Sequence, residues 1–504
     1  MKPYIVIGAG FGGLSAAVRL RAMGHPVIVL EANEQAGGRA SVFRKDGFTF
    51  DAGPTVITAP YLLDELFALL GRDARDYYEL VPVDPFYRVL FHEGGHFDYV
   101  GDDERLLAQI EAMSPRDVDG YRGLVKQAQE TFDVGYTRLA DQPFSRLSDM
   151  IRVVPDMVKL GSWRSVYGMV AKHIKDERLR QVLTFEPLLI GGNPFTAPSI
   201  YLLIHWLERK WGVWFPKGGT GAIVDALVRV LDEVGVEVRT NSPVTKIRVE
   251  GGKATGVELA DGQVIEAAGV VCNGDPSTAY SKLIDPQHRS TWTDKKVAKV
   301  RQSPSLVVTY FGTEGTWPEL AHHTIVLGPR YEGLLDDIFH KRKLAEDMSL
   351  YIHAPTRTDA SLAPEGKECF YVLSPVPNQL SGLDWEKEQA RYEDSILANL
   401  EQRMLPGLRG RITTKFSVDP RYFEGRLRTR DGAAFGPEPR LEQSAWFRYH
   451  NESEDVGGLY FVGAGTHPGA GVPGVINSAK VLERLVAPPE VKVPVPGRRL
   501  ASVA

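Results

Sequence analysis

Cysteine is nearly absent: Cys272 and Cys369 are the two in 504 residues. Two cysteines build neither a disulfide framework nor a cysteine-rich metal cluster, so the composition fits a reducing compartment, with both thiols as buried spectators. An excess of positive charge is missing too. Lys and Arg number 59 against 64 Asp and Glu, a net charge of −5, which argues against a nucleic-acid partner. Long apolar runs are also lacking. The longest uncharged stretch, residues 187–207, is broken by Gly191-Gly192-Asn193-Pro194 and by Pro198. It cannot cross a bilayer as one helix, so any membrane contact is expected to be peripheral. His322-His323 has no metal-ligand spacing around it in the sequence, and no metal is expected. The start of the chain imitates a signal peptide, one lysine and then an Ala/Gly-rich apolar run, but its glycine spacing suits a folded domain better.

What is present is an ordinary globular composition, 43% hydrophobic and 24% charged, in a chain long enough for two or three domains. Its organising stretch is residues 2–40. Tyr4-Ile5-Val6-Ile7 fits a strand buried on both faces, Gly8-x-Gly10-x-x-Gly13 follows at once, and a helix-forming segment closes at Gly24. A second buried strand ends in Glu31, 18 residues after Gly13. This is the dinucleotide fingerprint in its proper context. Gly8 permits the turn, Gly10 lets backbone approach a pyrophosphate, and Gly13 lets the helix sit close to the sheet. The N–H groups at the helix start favour phosphate, and Glu31 suits a ribose diol. Gly37-Gly38-Arg39 adds a further close approach with a cation beside it, which moves the expectation from NAD to FAD.

Further on, residues 48–58 predict a strand and a Gly-Pro turn, 60–70 a helix, and 86–99 two strands joined at Gly94-Gly95. Residues 141–180 predict helix broken at Pro143 and Pro155, with eight Lys or Arg against five acids. Two readings stand side by side here: a basic amphipathic surface for anionic lipid, or a solvated helix face over a core. The aromatic cluster Trp206, Trp211, Trp214 and Phe215 fits a membrane interface, an apolar pocket or a core equally well. Gly218-Gly219-Thr220-Gly221 opens another helix. Three strands with turns at Gly251-Gly252 and Asp261-Gly262 then return the chain to a buried strand at 269–272, followed by Asn273-Gly274-Asp275-Pro276. A second set of strands near 305–311, 324–327, 349–353 and 370–373, with a long helix from 385 to 404, suggests an antiparallel sheet in a substrate domain. Residues 458–480 are strand, glycine-rich turn and helix, whose N-terminus would stabilise charge on a reduced flavin ring.

The fold class expected is therefore α/β: a Rossmann-like FAD-binding domain with an inserted α+β substrate domain (mixed or antiparallel sheet) and a helical, membrane-facing region. The expected division is FAD-binding at 1–75, 216–285 and 441–486, substrate and helical membrane-associating region at 76–215, substrate domain at 286–440, and disordered tail at 487–504, which carries Arg498-Arg499.

The blocks GAGFGGL, AGGRA, FTFDAGPTVIT, WRSVY, LLIGGNPF, GVWFPKGGTGA, SLYIHAP, SLAPEG, QSAWFR and GAGTHPGAGVPGV resemble the bacterial-type phytoene desaturases from Met1 to about Val486. The resemblance implies an FAD-dependent oxidoreductase of carotenoid biosynthesis. Such an enzyme carries 15-cis-phytoene through phytofluene, ζ-carotene and neurosporene to lycopene in four dehydrogenations. It implies a peripheral protein on the cytoplasmic side of the cell membrane, FAD as the one cofactor and a C40 polyene as substrate. Quinone or oxygen as electron acceptor, and assembly of copies on the membrane, stay open. Gly8, Gly10, Phe11, Gly12, Gly13, Glu31, Gly38 and Arg39 are expected to hold the ADP half, with Val244 on the adenine side. Asp51, Gly53, Pro54, Thr55, Gly463, Gly465, Val472, Pro473 and Gly474 should surround the flavin end. Asp149 and Arg152, three apart and able to share a helix face, are the acid–base candidates by resemblance. There are two departures: Ala36 stands where Pro is common, and Ser148 stands where the family is expected to carry a base. The alternatives are a neurosporene-forming, C30 or later-step desaturase or isomerase, and a non-catalytic prenyl-lipid-binding protein of the same fold.

Overall fold

The computed structural model describes residues 1–497. Arg498-Arg499 and the rest of the tail lie outside the described residues. At the centre of the nucleotide half is a five-stranded parallel sheet, ordered Leu459–Phe461, Gly269–Cys272, Tyr4–Ile7, Val27–Leu30, Glu237–Arg239. Four of its strands are short continuous apolar runs because helices and a second sheet bury both faces, while the edge strand Glu237–Arg239 is charged at both ends and not buried. On one face pack the glycine-turn helix Phe11–Met23, the helix Thr220–Glu233 and the C-terminal helix Val472–Leu485. On the other lies the three-stranded antiparallel sheet Val244–Glu250, Lys253–Leu259, Val264–Glu266, turned at the expected hairpins. Distant stretches of chain thus meet in one sheet, with the carboxyl ends of its strands on one edge.

The second half is a seven-stranded sheet, ordered Ile412–Val418, Ser305–Glu314, Lys367–Val376, Leu350–His353, His323–Val326, Tyr87–Leu90, His96–Tyr99. It is antiparallel except where Thr324 pairs Arg88 in a parallel register. The hairpin of residues 87–99 joins a sheet otherwise built more than 200 residues later in the chain, so it is mixed rather than purely antiparallel. The long helix Trp385–Arg403 covers one face. The other face looks inward, onto a core shared with helices from residues 118–211.

Two expectations need correcting. The helix Leu147–Leu160 runs straight through Pro155. Both Pro155 and Ile151 are exposed, so the carbonyl that loses its helical partner is on the wet side. The described part of the tail is not loose: the Val493 N–H donates to the Gly24 carbonyl at 2.8 Å, and Arg21 donates to the carbonyls of Val493 and Pro494. Of the readings left open for the tryptophans at 206, 211 and 214, the core is the one that holds: all three are half-buried and pack against it. Trp211 lies against Tyr61 and Phe132, with ring centroids 4.9 and 5.5 Å apart. Among the described residues no helix is long and apolar enough to cross a membrane.

Candidate active site

A single cavity of about 530 Å³ runs from the glycine turn to the inner face of the seven-stranded sheet. That is the size range of cofactor and ligand sites. Its two ends are built differently.

The first end is backbone. Gly8, Gly10, Phe11 and Gly12 line it, and the Phe11–Met23 helix begins at Gly10 with no side-chain cap and no acid in its first turn. A helix start in that state offers free N–H groups and the positive end of its dipole to an anion. The C-terminal helix repeats the arrangement: it starts at Gly471, uncapped and without acid, with Val472, Pro473 and Gly474 on the cavity. Gly463, Gly38, Arg39, Gly53, Pro54, Thr55 and Val244 line the same space. Glu31 lines it too, its carboxylate held by the Ala9 N–H at 2.8 Å and the Asn33 N–H at 2.9 Å. Arg39 is anchored by Nε donating to the Ala434 carbonyl at 2.7 Å.

Three of the expected cofactor residues stand behind the wall. A Cβ on Gly13 would lie 2.0 Å from the Gly8 carbonyl oxygen, so this glycine sets the helix against the strand turn. Gly465 is fixed in the same way, 2.2 Å from Pro276 Cδ. Asp51 accepts from the Thr220 N–H at 2.7 Å, and burial pushes its carboxyl up to about 7. These three shape the cradle without facing it. Asn273 was missed as a site residue. It ends the strand next to Tyr4–Ile7, lines the cavity, and lies where a Cβ on Gly12 or Gly463 would come within 2.4 or 2.5 Å of its amide oxygen. Arg448 was also missed. It holds the C-terminal glycine loop by donating to the Ala464 and Thr466 carbonyls at 2.6 and 3.1 Å. Neither role has a local sequence signal beyond the turn-forming context of Asn273.

The cradle fits FAD. Two uncapped helix starts face one space, backbone comes close wherever a side chain would block it, and Glu31 and Arg39 stand beside the glycine turn. These groups would hold the adenosine and pyrophosphate, and the C-terminal helix start would face the ring.

The second end is made of apolar side chains drawn from the helix Leu203–Trp211, the sheet and residues 331–339; Ile204, Leu306, Ile325, Leu334 and Phe339 are examples. Asp149 and Arg152 are not brought to the cavity. Asp149 accepts from the Arg146 N–H at 3.0 Å as part of a helix-start box, and Arg152, 80% exposed, lies 3.9 Å from it. Their spacing does put both on one helix, with Arg152 in solvent and Asp149 half-buried at its start, and neither lines the cavity.

The fold also gives His322-His323 the neighbour that the sequence did not reveal. His353 pairs with His323 across adjacent strands, and one ring nitrogen of each of the three histidines lies within 4.8 Å of the others. All three are buried, which holds them neutral; His353 is pushed down to about 3. The Tyr351 hydroxyl links this cluster to the cavity, 2.7 Å from His323 Nδ1 and 2.5 Å from Thr55 Oγ1. Both cysteines are free and buried, and burial pushes the Cys272 thiol up to about 12.

The profile of the family described as flavin containing amine oxidoreductase matches residues 11–481. The chain is 49% identical over 487 residues to the phytoene desaturase (lycopene-forming) of Pantoea ananas, covering 96% of this chain and 99% of that one. It is 46% identical to the phytoene desaturase (neurosporene-forming) of Rhodobacter capsulatus, over 96% and 94% of the two chains. A solved oxidoreductase from Methanosarcina mazei shares the fold, with a TM-score of 0.66 at 20% identity over 96% and 100% of the two chains. With the cradle, the greasy chamber and a match from end to end, the chain belongs to the flavin-containing amine oxidoreductases, among the FAD-dependent phytoene desaturases.

Proposed function

We propose that this protein converts phytoene to lycopene by four successive dehydrogenations. The observation that carries this reading is the continuity of the cavity: a nucleotide cradle opens directly into a chamber walled by apolar side chains. A substrate that offers no hydrogen-bonding groups is selected by shape and burial, and each CH₂ it buries is worth about 0.8 kcal/mol. FAD, when bound, supplies the hydride acceptor. The chain's own part is to exclude water, to align one allylic C–C bond with the ring end of the cradle, and to receive the proton that accompanies each hydride.

The helix Leu147–Leu160 supports a peripheral place on the cytoplasmic face of the cell membrane. Leu147, Ile151, Val154 and Val158 form an exposed stripe at helical spacing, with Ile151 62% and the nearby Trp163 60% exposed. Arg146, Arg152, Lys159 and Arg164 accompany the stripe. An apolar stripe amid cations suits the headgroup region of an anionic bilayer, where the polyene and a quinone acceptor both dissolve.

The test is the product profile of purified protein with FAD and phytoene in anionic liposomes. Lycopene at exhaustive turnover is expected. Accumulation of neurosporene would overturn the step count, an outcome the 46% identical neurosporene-forming relative makes specific. No conversion at all would overturn the reading. Turnover without oxygen on addition of a quinone decides the acceptor.

A further inference from the structure

Within the cavity wall, beside Ile204 and Leu207 of the same helix, stands a carboxyl group, Glu208. It is 1% exposed, and it meets a second buried carboxyl, that of Glu186 at 2%, from the turn Glu186–Ile190. The two act on each other: the charge of Glu186 raises the affinity of Glu208 for a proton. Burial raises both, Glu186 to about 8, and their repulsion keeps them from ionising together, so the pair stores a proton in an apolar wall. The Tyr87 hydroxyl donates to Glu208 Oε1 at 2.7 Å, while Glu208 Oε2 has no donor among the described residues. Behind the pair lies His205, whose Nδ1 is 3.3 Å from Glu186 Oε1 and 3.0 Å from the Tyr99 hydroxyl. Its Nε2 is 3.3 Å from the Tyr121 hydroxyl. Beyond Tyr99 the Arg209 guanidinium lies 6.0 Å over the ring and pairs with Asp103, whose side chain is 79% exposed. A line of ionisable groups thus leads from an otherwise greasy chamber toward the surface.

We propose that Glu208, coupled to Glu186, accepts the proton released at each dehydrogenation, which leaves by way of Glu186 and a His205 ring that relays it without holding it. This rests on the desaturase reading above. One allylic C–H bond gives up its hydrogen with both electrons to the flavin. The C–H bond on the adjacent carbon breaks, its hydrogen leaves as a proton to the Glu208 carboxylate, and its electron pair becomes the new C=C bond. The pair then returns to its starting state as Glu186 gives a proton to His205 Nδ1 while Nε2 releases one toward the Tyr121 hydroxyl, so that no imidazolium is held. A proton set free in an apolar chamber has no water to receive it, and a lone ionised carboxylate there would be costly. Sharing one proton between two carboxyls keeps an acceptor available at lower cost.

Burial raises the affinity of both carboxyls for protons, and their mutual repulsion raises that of Glu208 further. The neighbours do not cancel this. His205 is held neutral by burial, pushed down to about 3, and Arg209 on the same helix is the cation among the facing groups Tyr87, Tyr99, Tyr121 and His205. The accepting form is therefore lost as pH falls, so kcat should climb with pH through a range well above that of ordinary carboxylates.

The experiment compares wild type with Glu208→Gln, Glu208→Asp and Glu186→Gln, all FAD-loaded, in phytoene liposomes and by infrared spectroscopy without substrate. Glu208→Gln should lower kcat by about 100-fold, the usual scale of a lost acid–base group, with KM and flavin absorbance unchanged. Glu208→Asp should recover part of the loss, and Glu186→Gln should fold and displace the rising pH limb. The wild-type spectrum should contain a protonated-carboxyl band that Glu208→Gln removes. If wild type desaturates and Glu208→Gln stays within about threefold with the same pH profile, or if no such band exists, the proposal is overturned and the desaturase reading stands. If wild type converts no phytoene while the band is present, the desaturase reading fails and the stored proton needs another use.

Discussion

The two ends of the cavity bind by opposite means. At the nucleotide end the ligand would meet main chain: uncapped helix starts, glycines packed to within van der Waals limits, and one acid fixed by backbone N–H groups. At the other end it would meet side chains from widely separated regions of the sequence. Backbone cradles are exact about shape and intolerant of any added atom, whereas an apolar wall spreads its contribution over many interchangeable contacts. The difference teaches where the protein should be brittle and where it should be tunable.

The sharpest break is Gly13→Val. Its Cβ would fall 2.0 Å from the Gly8 carbonyl oxygen, so the helix must move off the sheet. We expect a loss of about 3 kcal/mol or more, read as a fall in melting temperature together with lost flavin absorbance. At the seam between the ends, Asp51 should make stability depend on pH. Its folded-state affinity for protons is raised to about 7 by burial, against two backbone donors that lower it. The folded state then binds more protons than the unfolded chain between the ordinary carboxylate value and about 7. Stability contributed by this group is full below that window and is lost as pH rises through it, by roughly 1.4 kcal/mol per pH unit at the steepest. Asp51→Asn should flatten the slope in denaturant titrations from pH 4 to 8; an unchanged slope would locate the effect elsewhere.

At the apolar end, Leu334→Phe adds bulk to a wall that can give a little. A cost of about 1–2 kcal/mol is expected, with FAD uptake intact and the product distribution moved toward earlier intermediates. Equal loss of FAD would mean that the two ends are not separable. The smallest effect on folding should come from Ile151→Asp with Val158→Asp on the outer helix. Both side chains are exposed, so melting should change by less than about 0.5 kcal/mol, while flotation with anionic liposomes falls.

The backbone end was largely legible from sequence because its signals are local. Gly8 to Gly13 and Glu31 lie on one strand–helix–strand unit, and the spacing of the motif is itself the geometry. The C-terminal glycines were legible for the same reason. Asn273 was not: it matters only because Gly269–Cys272 lies in register beside Tyr4–Ile7, a pairing across more than 260 residues. His353 completes the histidine cluster only through its cross-strand partner His323. Glu186 and Glu208 meet because a turn and a helix fold onto each other. The spacing of Asp149 and Arg152 was enough to predict a shared helix, but it carries no information about where that helix lies, and no residue of it lines the cavity. The break expected at Pro155 did not occur because solvent satisfies the backbone group that a core could not.

From its sequence alone, then, this chain fixes a nucleotide fold, an FAD cradle and membership of a desaturase family, since short-range sterics and glycine placement suffice for a main-chain site. The greasy chamber, the buried carboxyl pair within it and the outward face of the basic helix come from the tertiary structure. Those features depend on which distant surfaces are removed from water together, and burial is a property of the assembled molecule rather than of any stretch of it.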